Sequence, residues 1–392
     1  MDALKQRIWQ ALLRVSGAAA WLVLAPANWM LAGLFRSRPH PSSVLHISYM
    51  VHIPYHAVQH LRRAGMRADY LAIGRNPHWD KADFVFEPSW IPAVRAFQEF
   101  WTFWRVVARY ETIHAHFMYT LSQDGWELRI LKRLGRKLVV HFRGCEARDG
   151  ARNMALHPAC NICTECDHRP PICTTPAAIA RRALARRFGD KILVTTPDML
   201  DFNADAEHFP FFAPDNVIAA EREAKPNRPF KIVHVTNQPG IEGTRHIEAA
   251  IRRLRARGFA IDFVWMHDRR HDEVMKELAD ADFAIGKMKM GYYANAQIES
   301  MATGVPTITH VRDEFMTDAL RDSGFIFATL DSLETTLEHY LRNPEELAAK
   351  RAKAPSGAKA KGIRRSGTGR SGGGGGRRGN IRSSFRCGCR CR

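Results

Sequence analysis

No acidic residue follows Glu346, the cysteines fall in two clusters, and few stretches are long, apolar and free of charge. Each shortage excludes a class. No internal repeat is evident, which argues against solenoids and propellers. Glycine shows no three-residue period, and 45% hydrophobic with 10% aromatic residues is too much for a collagen, a mucin or a wholly disordered chain. At 392 residues the chain suits two domains.

The missing tail acids also explain the net charge. Residues 350–392 carry 14 Lys or Arg and no acid, leaving 44 basic against 40 acidic residues before them. The formal charge of +18 is therefore a property of the tail, and the body is near neutral. With almost no large apolar side chains, 350–392 cannot offset its own ordering entropy and is predicted to be a disordered, basic Gly/Arg-rich extension. Its Cys387, Cys389 and Cys391 are a weak metal pattern, and no specific nucleic-acid partner is expected.

The uncharged stretch, residues 15–35, approaches the length of a bilayer span, but Pro26 and Asn28 interrupt it and basic residues flank both ends. The expectation for 1–42 is a membrane-associating segment lying in the interface, with Trp9, Trp21 and Trp29 at the headgroups, on a cytoplasmic protein peripheral to the inner face of the cell membrane. The alternative is an apolar helix capping the first domain.

From Ser43 onward, short apolar runs alternate with helical ones, the pattern of parallel βαβ units. Residues 44–48, 112–117, 137–142 and 191–196 read as strands of a first α/β domain over 43–200. Residues 201–228 read as a linker, and a second alternation over 229–349 begins with the strand at 231–236. Two such domains place ligands outside the carboxyl ends of their strands, in the cleft between them.

Five of the eight cysteines, Cys145, Cys160, Cys163, Cys166 and Cys173, lie within 29 residues, in a predicted insertion at 145–173. In an intracellular enzyme that density favours a metal over disulfides, and thiolate ligands suit a structural zinc. An iron–sulfur cluster, disulfides and free thiols are the alternatives. Separately, His114 and His116 share one face of the 112–117 strand, and only His116 is near its carboxyl end.

The order KIVHVTNQPGIEGTRHIEAAIRRL, then ADADFAIGKMKMGYYANAQIESMATGVPTI, resembles the carboxy-terminal domain of family-four retaining glycosyltransferases of GT-B fold. Residues 44–48, 113–117 and 139–144 resemble the family's first domain more loosely. The resemblance implies an α/β GT-B architecture, two doubly wound Rossmann-like domains facing across a cleft. It implies metal-independent transfer of a sugar from a nucleoside diphosphate sugar to a glycan or lipid-linked acceptor, here in cell-surface polysaccharide biosynthesis. Glu299 would accept the ribose hydroxyls, and His141 would sit beside the acceptor and transferred sugar. Gly240, Gly243 and Gly291 would form donor loops, with Arg245, Lys287 and Lys289 as the available cations. The chain departs from the pattern where Gly291 replaces an earlier Glu and Glu242 replaces the phosphate-binding Lys. Those departures favour the alternative of a catalytically silent GT-B scaffold or nucleotide-binding subunit.

Overall fold

The computed structural model describes residues 2–35, 39–77, 79–122, 124–211 and 228–359. Most of the expected linker (212–227) and most of the expected tail (360–392) lie outside the described residues.

The first sheet contains β1 (His40–Tyr49), β2 (Arg67–Ile73), β3 (Phe84–Phe86), β4 (Tyr110–His116), β5 (Lys137–Phe142), β6 (Lys191–Val194) and β7 (Glu207–His208). Its strand order is β3-β2-β1-β4-β5-β6-β7, parallel throughout. Helices α1 (Asp2–Phe35), α2 (His52–Arg63), α3 (Pro92–Arg105), α4 (Trp126–Arg133), α5 (Gly150–Leu156) and α6 (Pro176–Phe188) accompany it. Leu45, Ile47, Leu71, Ile113, Leu138 and Val140 are buried along the strands, as expected for a sheet covered on both faces.

The second sheet, again all parallel, has the order β12-β11-β10-β8-β9, from β8 (Phe230–Val235), β9 (Ile261–Met266), β10 (Phe283–Ile285), β11 (Thr307–Thr309) and β12 (Phe325–Phe327). Its helices are α7 (Pro239–Glu242), α8 (Thr244–Ala256), α9 (His271–Asp280), α10 (Asn295–Ala302), α11 (Asp318–Arg321), α12 (Leu333–Arg342) and α13 (Pro344–Lys359). In α8 the buried residues Ile247, Ala250, Ile251 and Leu254 recur at one-turn spacing, so a single apolar stripe faces the sheet. The strand order reverses between β1 and β4 in one sheet and between β8 and β10 in the other, the crevices where open α/β sheets bind ligands.

Helix α1 packs along α3. Ala20, Leu24 and Ala32 are buried, Asn28 Oδ1 accepts a 2.8 Å hydrogen bond from Trp104 Nε1, and Trp21 packs on Trp126 at 4.6 Å between centroids. Asn28, which interrupts the apolar run in sequence, thus anchors the helix to the first domain. Trp21 is on the packed side, whereas Leu22, Val23, Trp29 and Met30 face outward. The span Val15–Gly33 is long and apolar enough to cross a membrane by composition alone.

The expected disordered tail starts too early. Helix α13 continues through Lys350 and Arg351, whose side chains donate to the carbonyls of Phe325 (3.1 Å) and Asp282 (3.2 Å). Ala354 is fully buried against Gly324, where an added Cβ would lie 2.6 Å from the Ala354 Cα. Small residues at both positions allow this approach, so a segment of nearly uniform Ala and Lys is ordered by a partner 30 positions away in sequence. Gly324→Ala is expected to lower unfolding free energy by about 1–3 kcal/mol, through backbone displacement. Urea denaturation measures it, and an unchanged midpoint would mean that α13 does not pack there.

Candidate active site

The carboxyl ends of β1, β4 and β5 bring four imidazoles together. His46 lies opposite His114, and His116 opposite His141, in the parallel register, and the rings of His114 and His116 stack at 4.3 Å. Arg143 Nε donates to His116 Nδ1 (2.9 Å), which places the His116 proton on Nε2, from where it is donated to His46 Nδ1 (2.8 Å). Burial is the main cause holding all four rings neutral, with Arg143 adding to it. His46 is lowered to about 3, and His114, His116 and His141 fall well below their usual value. Arg143 itself is pulled down to about 10 by burial.

This arrangement corrects the expectation for His141. Its ring is buried between Arg143 and Thr195, with Nε2 3.2 Å from Thr195 Oγ1, and it lies beneath the cleft floor. Arg143, two residues on, lines the cavity instead.

That cavity, of about 340 Å3, lies between the sheets. Arg143 from the first sheet faces Asn237, Glu242, Arg269, Lys287 and the start of α10 from the second. The N-terminal turn of α10 contributes backbone N–H groups and the positive end of its dipole. Glu299, further along α10 and 5% exposed, accepts from His271 Nε2 at 3.0 Å and has His52 Nε2 at 3.7 Å. The carboxylate raises the His271 pKa, while burial lowers that of His52. Two histidines absent from the sequence reading, His52 and His271, thus cover Glu299. Each is the first residue of a helix near a strand's carboxyl end, which is the signal that would have found them.

Of the three expected cations, only Lys287 lines the cavity, and it forms a close ion pair with Glu242. Glu242, standing where the resembled pattern has a Lys, thus takes up part of the Lys287 charge. Lys289 is buried and donates to Glu165 (2.7 Å) and the Gly240 carbonyl (3.2 Å). Arg245 is 74% exposed and pairs with the same Glu165 at 2.5 Å. Both turn away from the cleft because Glu165, inside the cysteine insertion, reaches them first.

The insertion also occupies the loop expected to hold phosphate. Asp167 accepts hydrogen bonds from the backbone N–H of Gly240 (3.0 Å) and Ile241 (2.9 Å), and a Cβ on Gly240 would meet the Glu165 carbonyl at 2.2 Å. Gly240 thus admits the insertion instead of a ligand. Gly243 takes a left-handed turn (φ 87°) under the Lys289 stem. Gly291 (φ 77°) is pressed against Arg312, 2.5 Å from an added Cβ, which leaves no room for a Glu side chain there. Arg312 in turn reaches across to Asp201 (3.0 Å) and His157 of the first domain.

Two of the five cysteines, Cys163 and Cys173, lie beside Gly150, while the Sγ of Cys160 faces the Met288 carbonyl at 3.6 Å. Cys173 Sγ and Cys163 Sγ lie 3.3 and 3.8 Å from the Cβ position of Gly150. Arg182 clamps the turns carrying Cys145 and Cys173 by donating to the Glu146 and Cys173 carbonyls, both at 3.0 Å. The Cys163 thiol is pushed up to about 12 by burial and then by its neighbours Cys145, Cys173 and Cys166. All five are free thiols.

Two doubly wound parallel domains facing across a cleft define the GT-B fold, and this chain has it. It is similar to sucrose-phosphate synthase from Thermosynechococcus elongatus, at 13% identity, 81% coverage of this chain, 94% of that chain and a TM-score of 0.54. Anabaena HepE in complex with UDP and glucose is similar over 82% and 95% of the two chains, at 10% identity and TM-score 0.52. The catalytic domain of starch synthase IV from Arabidopsis thaliana, bound to ADP and acarbose, covers 82% and 96% with the same identity and TM-score. No protein-family model matches the chain, and no curated protein matches its sequence.

Because the unfolded chain takes up protons on histidines near pH 6.5 and the folded chain does not, acid favours unfolding. Each of the four buried rings is expected to cost up to about 1.4 kcal/mol per pH unit below 6.5, until its own folded pKa is reached; for His46 that extends to about 3. Melting temperatures at pH 7, 6 and 5 should fall progressively, and His46→Gln should flatten the slope. A pH-independent melting temperature would refute the neutral cluster.

Proposed function

We propose that the protein is a glycosyltransferase moving a sugar from a nucleoside diphosphate sugar to a glycan or lipid-linked acceptor, with retention of configuration and without a metal in the transfer step. The observation that carries this reading is the cavity between the carboxyl ends of two GT-B sheets, walled by Arg143, Arg269, Lys287 and the start of α10, the helix that also carries the buried carboxylate of Glu299. A departing diphosphate develops negative charge, which the two arginines, Lys287 and the α10 N-terminus are placed to stabilise. Glu299 accepts the ribose hydroxyls once it gives up His271. The nucleotides named for two similar structures, UDP and ADP, are the first donors to try. The outward face of α1, with Leu22, Val23, Trp29 and Met30, supports peripheral attachment at the inner face of the cell membrane and hence a lipid-linked acceptor in cell-surface polysaccharide synthesis.

The competing reading is a silent nucleotide-binding scaffold, and the Asp167 cap on Gly240 and Ile241 favours it. Thermal-shift screening against UDP, GDP, ADP and their sugars is expected to show stabilisation by one base, about 2.7 kcal/mol at a hundredfold its Kd. Glu299→Ala should abolish the shift and Arg143→Ala should weaken it. A shift without transfer or donor hydrolysis would favour the scaffold, and no shift on folded protein would overturn donor binding.

The thiols of Cys145, Cys163, Cys166 and Cys173 form the insertion's structural zinc site, with Cys160 outside it. Four thiolates suit a closed tetrahedral zinc. Elemental analysis of the purified full-length chain is expected to find one zinc that is lost in Cys163→Ser and kept in Cys160→Ser. Equal loss in both variants, or no zinc, would refute that assignment.

A further inference from the structure

Two groups of side chains already hold their ligand atoms within 4.8 Å of one another: His46, His114 and His116 in the first sheet, and His52, His271 and Glu299 across the cleft. In the first, His46 and His116 are buried, and both nitrogens of His116 are engaged, one with His46 and one with Arg143. The second is more open, with His271 Nε2 bonded to Glu299. His52 and His271 are about one-quarter to one-third exposed (26% and 31%), whereas Glu299 is buried at 7%.

We propose that His52, His271 and Glu299 form a divalent-cation site of the zinc type, which closes the cleft and withholds Glu299 from a nucleotide. The donor set is two imidazoles and one carboxylate with a fourth position open to the cleft, the composition of open zinc sites. Bonds of about 2.0–2.1 Å arranged tetrahedrally separate ligand atoms by about 3.3 Å. The Nε2 atoms of His271 and His52 stand 3.0 and 3.7 Å from Glu299 Oε1, on either side of that spacing. The two rings stack at 5.1 Å with 29° between their planes, and His52 is packed further by Trp79 and His56. Glu299 brings the one negative charge needed to bind the ion in a half-buried place. Imidazole nitrogen also selects zinc, cobalt or nickel over magnesium.

The ligands come from both domains, His52 beginning α2 beside the first sheet, His271 beginning α9 and Glu299 within α10 of the second. A bound ion therefore bridges the cleft, and it uses the carboxylate assigned above to the ribose. This site goes beyond the transferase reading, because cation binding is measured with no nucleotide present.

The test is titration of the full-length chain with cobalt(II) alone, followed by its visible spectrum, with magnesium as the hard-ion control. We expect a tetrahedral cobalt band lacking thiolate charge transfer, which separates this site from any cysteine-bound ion. His52→Ala and His271→Ala should each weaken that band's binding constant at least tenfold, while magnesium does not displace it. Small-angle scattering should show the wild type contracting on cobalt addition and His52→Ala not. Cobalt binding unchanged in both variants, loss in only one of them, or spectra showing thiolate ligation alone, would overturn the proposal. If nucleotides fail to bind while histidine-dependent cobalt binding persists, the donor reading falls and this one stands. If nucleotides bind and cobalt does not, the reverse holds.

Discussion

A single carboxylate on two backbone N–H groups sets how the halves of this protein meet. Asp167 leaves the first domain on the cysteine insertion and docks on Gly240 and Ile241 of the second, where Gly240 has no side chain to obstruct it. Glu165, two residues earlier, gathers Lys289 and Arg245 at the same contact. On the far side, Arg312 pairs with Asp201. Removing one partner from such a half-buried set leaves charge without compensation, so the contact constrains the cleft more strongly than its area suggests.

The function-bearing groups follow from that constraint. With Lys289 and Arg245 held by Glu165 and Lys287 shared with Glu242, the cavity depends on Arg143 and Arg269 for most of its positive charge. Arg143 also supports the first sheet's histidine cluster, so one guanidinium serves both the floor of the cleft and its wall. Above the cavity, His52 and His271 meet over Glu299 and place the most buried carboxylate of the cleft under the control of both domains.

Much of the fold was legible in the sequence. The apolar runs at 137–142 and 231–236 became β5 and β8 with ends shifted by at most a residue, because a strand buried on both faces announces itself locally. The short strands β3 and β7 did not, since two or three residues carry no period. Helix α13 was missed for another reason, its order coming from contact with Gly324 and not from its own composition. The site was legible in part. Lys287 lines the cavity and Glu299 meets His52 and His271, whereas His141 is buried, Gly240 is capped by Asp167, and Arg245 and Lys289 pair with Glu165. Arg143 and Arg269 were present in the sequence without any pattern to mark them among its other arginines, whereas His52 and His271 could be found only as first residues of helices that follow strand ends.

The sequence by itself therefore determined the alternation of elements, the parallel sheets and the density of thiols at 145–173, since periodicity and composition act between near neighbours in the chain. Only the tertiary structure decided which charges face the cleft. Lys289 stands two positions from Lys287 in sequence, yet the electrostatics that separates them is set by Glu165, 124 residues away, and Coulomb attraction depends on distance in space alone.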